Sequence, residues 1–179
     1  MKKIIFALIA ACMILSLCAC SSEGSDVSAP AGMMGVTNDV LKVTVCYPLG
    51  WTVDRNDGML SLLKDTSQAS MVSTYASVSV TKYSTNAVSY GEYWKTYSER
   101  LGEELKDYKS IEEKEIKVDS NTAGKYHYTA TVDGDTYHFV QVIAVGGYTA
   151  YIITFTASED DYETVVTEFD EIISNFSFN

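Results

Sequence analysis

The stretch DTYHFVQVIAVGGYTAYIITFTA, residues 135–157, decides the fold. Phe139, Ile143 and Val145 alternate with Val140, Val142 and Ala144, and Tyr151, Ile153 and Phe155 alternate with Ala150 and Ile152. Alternation with period two marks strands. Both faces of these two strands are apolar, and such strands belong in a central sheet covered from both sides. Gly146-Gly147 supplies the turn between them, and Asp133-Gly134 upstream, between two alternating runs, is a strong hairpin signal. Strands joined by such short turns pair antiparallel.

Working outward, SIEEKEIKVD (110–119) and GKYHYTATVD (124–133) read as two further strands, making four in succession. Earlier in the chain LKVTVCY (41–47) sets Leu41, Val43, Val45 and Tyr47 against Lys42, Thr44 and Cys46. Pro48 cannot donate to a ladder and Gly50 permits a turn, so YPLGW closes that strand and starts a return through Trp51 and Val53. MLSLLK (59–64) and SMVSTYASVSVTKY (70–83) follow as strands.

Two helical patterns are available to cover the sheet. Ser89 and Glu92 make a capping box, and Tyr90, Tyr93, Trp94, Tyr97, Leu101 and Leu105 recur at helical spacing, which predicts a helix from about 90 to 107. SEDDYETVVTEFDEIISNF (158–176) predicts a second helix capped by Ser158. The expected class is α+β: an α/β/α sandwich with a mainly antiparallel central sheet of about six to seven strands and one long helix on each face.

The chain has 179 residues, enough for one domain with a real core. It begins with Lys2 and Lys3, then the apolar run IIFALIAACMILSL (4–17), about 21 Å long as a helix against a ~30 Å hydrocarbon core. A basic start, a short apolar segment and small residues after it are the parts of a secretory signal. Leu17-Cys18-Ala19-Cys20 resembles the lipobox of bacterial lipoproteins. That resemblance implies cleavage after Ala19 and acylation of Cys20, with residues 1–19 as signal peptide. It places the protein, lipid-anchored, on the extracytoplasmic face of a bacterial membrane. SSEGSDVSAPAGMMG (21–35) has linker composition, so 20–37 is expected to be a lipidated flexible linker, with a reach of about 20 Å, and 38–179 the folded domain.

The net charge of the whole chain is −11; without residues 1–19, which hold two lysines and no acids, it is −13. An acidic domain is repelled by nucleic acid and by anionic lipid, so nucleic-acid binding is excluded and the domain stands off the bilayer. Cys46 is the one cysteine downstream of Cys20; alone, it reads as a small packed side chain.

No nucleophile motif, phosphate loop, zinc-protease helix, CxxC pair or EF-hand loop is present, so neither an enzyme nor a cofactor is expected. If Asp133-Gly134 is a two-residue turn, His127 faces Val140 and His138 faces Thr129, which makes the histidines diagonal neighbours on one face. Two histidines can hold a divalent ion when a carboxylate joins them; no third ligand is legible here, so no metal is assigned. Glu103, Glu104, Asp107, Glu112, Glu113 and Glu115 form an acidic region read as a solvated face. Thirteen tyrosines exceed the needs of a core, and Tyr is enriched at interfaces. Trp51 and the helix bearing Tyr90, Tyr93 and Tyr97 are therefore the candidate partner surface.

The strand ending YPLGW, the helix SYGEYWKTYSERL, the Gly124-centred AGKYHYTATVDG hairpin, GYTAYIITFTA and the closing IISNFSF together resemble the PsbP-like group. The resemblance runs over most of residues 38–179 and implies an α/β/α domain that binds other proteins. It transfers no catalytic residue. The functional expectation is a membrane-anchored accessory lipoprotein that binds a protein of the cell envelope; the alternative is a carrier or sensor of a small ligand or metal ion.

Overall fold

A computed structural model describes residues 27–56, 58–66, 75–86 and 88–179. The expected signal, Cys20 and residues 70–74 of the strand expected over 70–83 lie outside the described residues. The elements run β1 (Met33–Asn38), β2 (Val43–Pro48), β3 (Trp51–Asn56), β4 (Met59–Asp65), β5 (Tyr75–Ser84), α1 (Tyr90–Glu104), β6 (Lys106–Val118), β7 (Asn121–Val132), β8 (Asp135–Gly146), β9 (Thr149–Ser158), α2 (Tyr162–Ser174) and β10 (Phe176–Phe178).

β8 and β9 lie inside a seven-stranded sheet of order β3-β4-β5-β9-β8-β7-β6, antiparallel at every step. Asp133 (φ 53°) and Gly134 (φ 105°) both adopt left-handed backbone, as the two-residue hairpin turn requires, and Val132 pairs with Asp135. Val140, Val142, Ile153 and Phe155 enter one core with Val165, Phe169, Ile172 and Ile173 of α2. The alternate residues Phe139, Ile143 and Ile152 enter a second core with Trp94 and Leu101 of α1 and with Tyr126 and Tyr128 of β7. In the first, Phe155 and Phe169 stack at 5.1 Å, both fully buried.

The cover on the α2 side differs from the expected lone helix. β1, β2 and β10 form a separate three-stranded sheet in order β1-β2-β10 that shares the core with α2. β2 therefore does not pair with the return strand β3. Pro48 has no amide hydrogen and Gly50 stands at φ 94°, so the chain leaves the small sheet there and enters the edge of the large one. β1 lies in the stretch expected to be linker: Met33–Asn38 runs antiparallel along β2, and Val36 is buried against it. The small-residue composition of 21–35 concealed that pairing.

The helix ends also moved. α1 keeps the expected capping box, with Glu92 N–H donating to Ser89 Oγ at 3.2 Å and Ser89 N–H to Glu92 Oε2 at 2.9 Å, but it stops at Glu104 because Leu105 turns extended into β6. α2 starts at Tyr162 rather than after Ser158, whose backbone is committed to the ladder opposite Tyr137. Ser158 instead donates to Asp161 Oδ2 at 2.7 Å. Beyond Ser174 the chain returns as β10, with Phe176 opposite Val45 and Phe178 opposite Val43.

Gly124 marks the tightest point on the α1 side. A Cβ there would lie 2.3 Å from Tyr126 Oη and 2.5 Å from its ring, and that ring is stacked on Trp94 at 4.1 Å and is not free to withdraw. Gly124→Ala should cost about 1–3 kcal/mol in urea unfolding, the usual range for overpacking. In a Tyr126→Leu background the cost should largely disappear; an equal cost in both backgrounds would contradict the contact.

Candidate functional site

α1 packs over β6, β7 and β8 and leaves the β4, β5 and β9 part of that face beside it. Period two along β5 and β9 puts Val78, Val80, Ile153 and Phe155 in the α2-side core, so Ser79, Thr81, Thr154 and Thr156 face the α1 side. The angle between helix and sheet holds a cavity of about 250 Å³. Its helix wall is Tyr93, Tyr97 and Arg100, its strand wall Met59, Tyr83 and the hydroxyl residues just named, and its floor Tyr128, Phe139, Gln141 and Ile152.

The site mixes aromatic surface with polar groups. The Tyr93 and Tyr97 rings, one helical turn apart, stack at 6.2 Å. Burial pushes the Tyr93 and Tyr97 hydroxyls up from their ordinary pKa, and Arg100 opposes the shift in both. Burial raises that of Tyr128 far more. These phenols stay protonated at neutral pH and serve as neutral hydrogen-bonding groups. Gln141 is only 3 % exposed. Its Nε2 donates to Thr154 Oγ1 at 3.2 Å, while Oε1 has no partner.

Of the candidate surface, Tyr93 and Tyr97 come together at this cavity and the other two residues do not. Tyr90 donates its hydroxyl to Glu115 on the edge strand β6. Trp51 is 4 % exposed and belongs to the α2-side core, where its Nε1–H donates to Glu168 Oε2 at 2.6 Å. The alternation of β3 decides this, since Trp51 pairs with Lys64 and Val53 with Leu62, on the face that looks toward α2. Gln141, Arg100 and Thr154 were not singled out from sequence. The available signal was Gln141 itself, the one polar residue in FVQVIAV (139–145).

The hairpin register places His127 opposite Val140 and His138 opposite Thr129, on the α2 side of the sheet. His127 Nε2 lies 2.8 Å from His138 Nδ1, and His138 Nε2 lies 2.9 Å from Glu159 Oε2. Tyr162 stacks on both rings at 4.8 and 4.1 Å, with its hydroxyl 3.5 Å from His127 Nδ1. A carboxylate only accepts, so with neutral rings the directions are set: Tyr162 donates to His127, His127 to His138, and His138 to Glu159. Glu159 is the carboxylate that sequence could not name. The facing nitrogens nevertheless bond to each other rather than converge on a shared point. Among the described residues no group of three or more His, Cys, Asp or Glu side chains is placed to hold a metal ion.

The acidic region divides between the exposed end of α1 and the edge strand β6, where Glu112, Glu113 and Glu115 are exposed beside Lys114 and Lys117. Alternating charge of this kind blunts a sheet edge against further pairing. Cys46 is buried and free, and burial pushes its thiol pKa up, away from the reactive thiolate.

The described residues thus form antiparallel sheets flanked by two helices, with a ring-lined cavity on the α1 side of the larger sheet. The sequence matches the PsbP-like protein family over residues 38–178, and the chain belongs to that family, whose members are generally non-catalytic accessory proteins. No curated protein matches it. Among solved structures it is similar to the cyanobacterial PsbP, CyanoP, of Synechocystis (TM-score 0.60, 13% identity, 91% of this chain and 99% of that one). It is also similar to PA94 of Pseudomonas aeruginosa, a protein of unknown function described as a putative regulator (TM-score 0.59, 14% identity, 80% and 95%). A third is LpqN of Mycobacterium tuberculosis, involved in cell envelope biogenesis (TM-score 0.59, 11% identity, 82% and 90%). At these identities the likeness is one of fold.

The histidine chain sets a pH dependence. Burial first, and then neighbouring His138, lowers the His127 pKa to about 4; Lys125 and Lys114 act in the same sense and Glu112 against it. Between about 4 and the unfolded value near 6.5 the unfolded chain holds more protons at this site. The contribution is therefore fully present above pH 6.5 and is lost as pH falls through 4. His127→Gln removes it. The stability difference between wild type and variant should shrink on acidification, no more steeply than ~1.4 kcal/mol per pH unit for one proton, in urea unfolding at pH 4.5–7.5. A pH-independent difference would contradict a neutral His127.

Proposed function

We propose that the protein is a lipid-anchored lipoprotein on the extracytoplasmic face of a bacterial membrane, where its PsbP-like domain binds a protein of the cell envelope as a non-catalytic accessory. The observation that carries the binding reading is the half-covered α1 face, where Tyr83, Tyr93 and Tyr97 line a cavity, Tyr93 and Tyr97 being only partly buried against the α1-side core. The anchor rests on LCAC (17–20) after a basic-apolar start, and the acidic composition suits a domain held clear of anionic headgroups. Two or more acyl chains give stable anchoring where one gives only reversible binding. No helix among the described residues is long and apolar enough to cross a membrane. The second reading, a carrier of a small ligand, is favoured by the size of the cavity, about 250 Å³.

Cys20→Ser should move the protein from the membrane fraction to the soluble fraction; retention in membranes would overturn the anchor. For the domain, a photo-crosslinking residue at position 93 should capture an envelope protein in living cells, whereas one at position 117 on the β6 edge should not. Equal capture at both positions would contradict the assignment of the surface.

A further inference from the structure

The connection between Cys20 and the folded domain is shorter than the linker expected from composition, and it meets the domain at one edge. Val27 already packs on the domain: a Cβ on Gly35 would lie 2.8 Å from Val27 Cβ. Met33 N–H donates to Pro30 O at 3.0 Å, so residues 27–30 run back along β1. β1 is the outer strand of the small sheet, with β2 beside it. Cys20 stands seven residues before Val27, a connection of at most about 25 Å when fully extended. A domain of this size is roughly 40 Å across. An anchor at Cys20 can therefore bring the β1 side to a bilayer but not the far side.

That edge also differs chemically from the rest of the domain. Residues 27–50 carry Asp39 and Lys42 and no other formal charge, whereas residues 51–179 carry 10 basic against 21 acidic residues. Among the described residues four large non-aromatic hydrophobic side chains are exposed, and three of them, Met34 at 50 %, Val40 at 63 % and Leu49 at 65 %, belong to the β1–β2 hairpin and its ends. The backbone fixes their display. Asn38 Oδ1 accepts from the N–H groups of Val40 at 3.0 Å and Leu41 at 2.9 Å, and Lys42 N–H donates to Asn38 O at 2.8 Å, which holds Val40 at the tip. Lys82 Nζ donates to Val40 O and adds a positive charge there. At the opposite end Leu49 N–H donates to Gly32 O at 3.3 Å, which keeps Leu49 beside the start of β1. Single apolar side chains scattered on a surface are ordinary; three at the two ends of one nearly uncharged edge mark a contact surface.

Resting on the reading of Cys20 as a lipid anchor, we infer that the domain rests on the membrane with its β1 edge down, Met34, Val40 and Leu49 entering the interfacial layer of the bilayer. Apolar side chains partition to the boundary between headgroups and acyl chains. A covalent anchor holds the edge at high effective concentration, so a weak contact suffices. The acidic faces turn away from the headgroups. Glu23 and Asp26 in the connection favour zwitterionic over anionic lipid. α1 and its tyrosine-lined cavity lie across the seven-stranded sheet from the core that Val36 of β1 enters, and they stay open to a partner.

The test expresses the full chain, extracts the anchored protein from membranes and reconstitutes it in phosphatidylcholine vesicles that contain nitroxide-headgroup lipid. A fluorophore is attached at one introduced cysteine: Met34→Cys, Val40→Cys or Leu49→Cys on the edge, Arg100→Cys or Lys117→Cys elsewhere. Cys46 is buried, and wild type treated with the same dye gives the background. Quenching at positions 34, 40 and 49 should be at least about threefold stronger than at 100 and 117. Met34→Asp together with Leu49→Asp should cut quenching at position 40 by about threefold, with the protein still bound to the vesicles. Thermal unfolding confirms that the variant folds, and Leu49→Asp alone serves if the pair does not. Equal quenching at all five positions, stronger quenching at 100 or 117, or quenching at 40 that ignores the aspartates would overturn the inference. Disulfide-linked dimers through position 40 would assign the edge to a second copy and also overturn it. Loss of the wild-type protein from the vesicles would overturn the anchor reading and this inference with it, whereas bound protein with equal quenching overturns the orientation alone.

Discussion

Everything in this fold depends on two adjacent strands that are apolar on both faces. Val142 and Ile143, and Ile152 and Ile153, are each 5 % exposed or less although successive residues point to opposite sides of the sheet. A sheet built round such strands loses its driving force if either face meets water. β5 and β7 flank them, the β8–β9 hairpin holds them in register, and α1 and α2 pack with alternate sets of their side chains.

The two covers are unequal, and that inequality creates the site. On one side α2 and the three-stranded sheet together bury Leu60, Leu62, Val78 and Val80 of the outer strands. On the other, α1 packs mainly across β6, β7 and β8. The outer strands answer with Ser79, Thr81, Thr154 and Thr156, residues that suit a pleated backbone and also tolerate water. The cavity lies along the boundary between covered and uncovered sheet, and Gln141 is the residue at which the apolar row of β8 crosses it. Binding at such a boundary fits a family of non-catalytic accessory proteins and needs no reactive group.

Period and turn chemistry made much of this legible in advance. The alternation of 135–157 located the central strands, and Asp133-Gly134 set the register that brings His127 and His138 within 2.8 Å. Ser89 and Glu92 located the start of α1. What stayed hidden depends on contacts between distant parts of the chain. Glu159 meets His138 from the turn between β9 and α2, where the capping pattern had put helix. β1 was concealed because its first residues fall in the Ser-, Gly- and Ala-rich stretch 21–35, and its pairing with β2 is a contact between separate segments. Trp51 was open to two readings, a partner residue or an anchor packed under the YPLGW turn, and the pairing of β3 with β4 puts it on the buried face. Gln141 was passed over because its neighbours dominate the pattern, and the lack of a partner for its oxygen is a three-dimensional fact.

The most direct measurement of the central claim is native-state hydrogen exchange of backbone amides, resolved by strand. The paired amides of β8 and β9 should be the slowest in the domain and exchange only through global unfolding, while those of the edge strands β3 and β6 should exchange earlier through local opening. Exchange of β8 and β9 amides as fast as those of β6 would contradict a sheet organised round two doubly covered central strands.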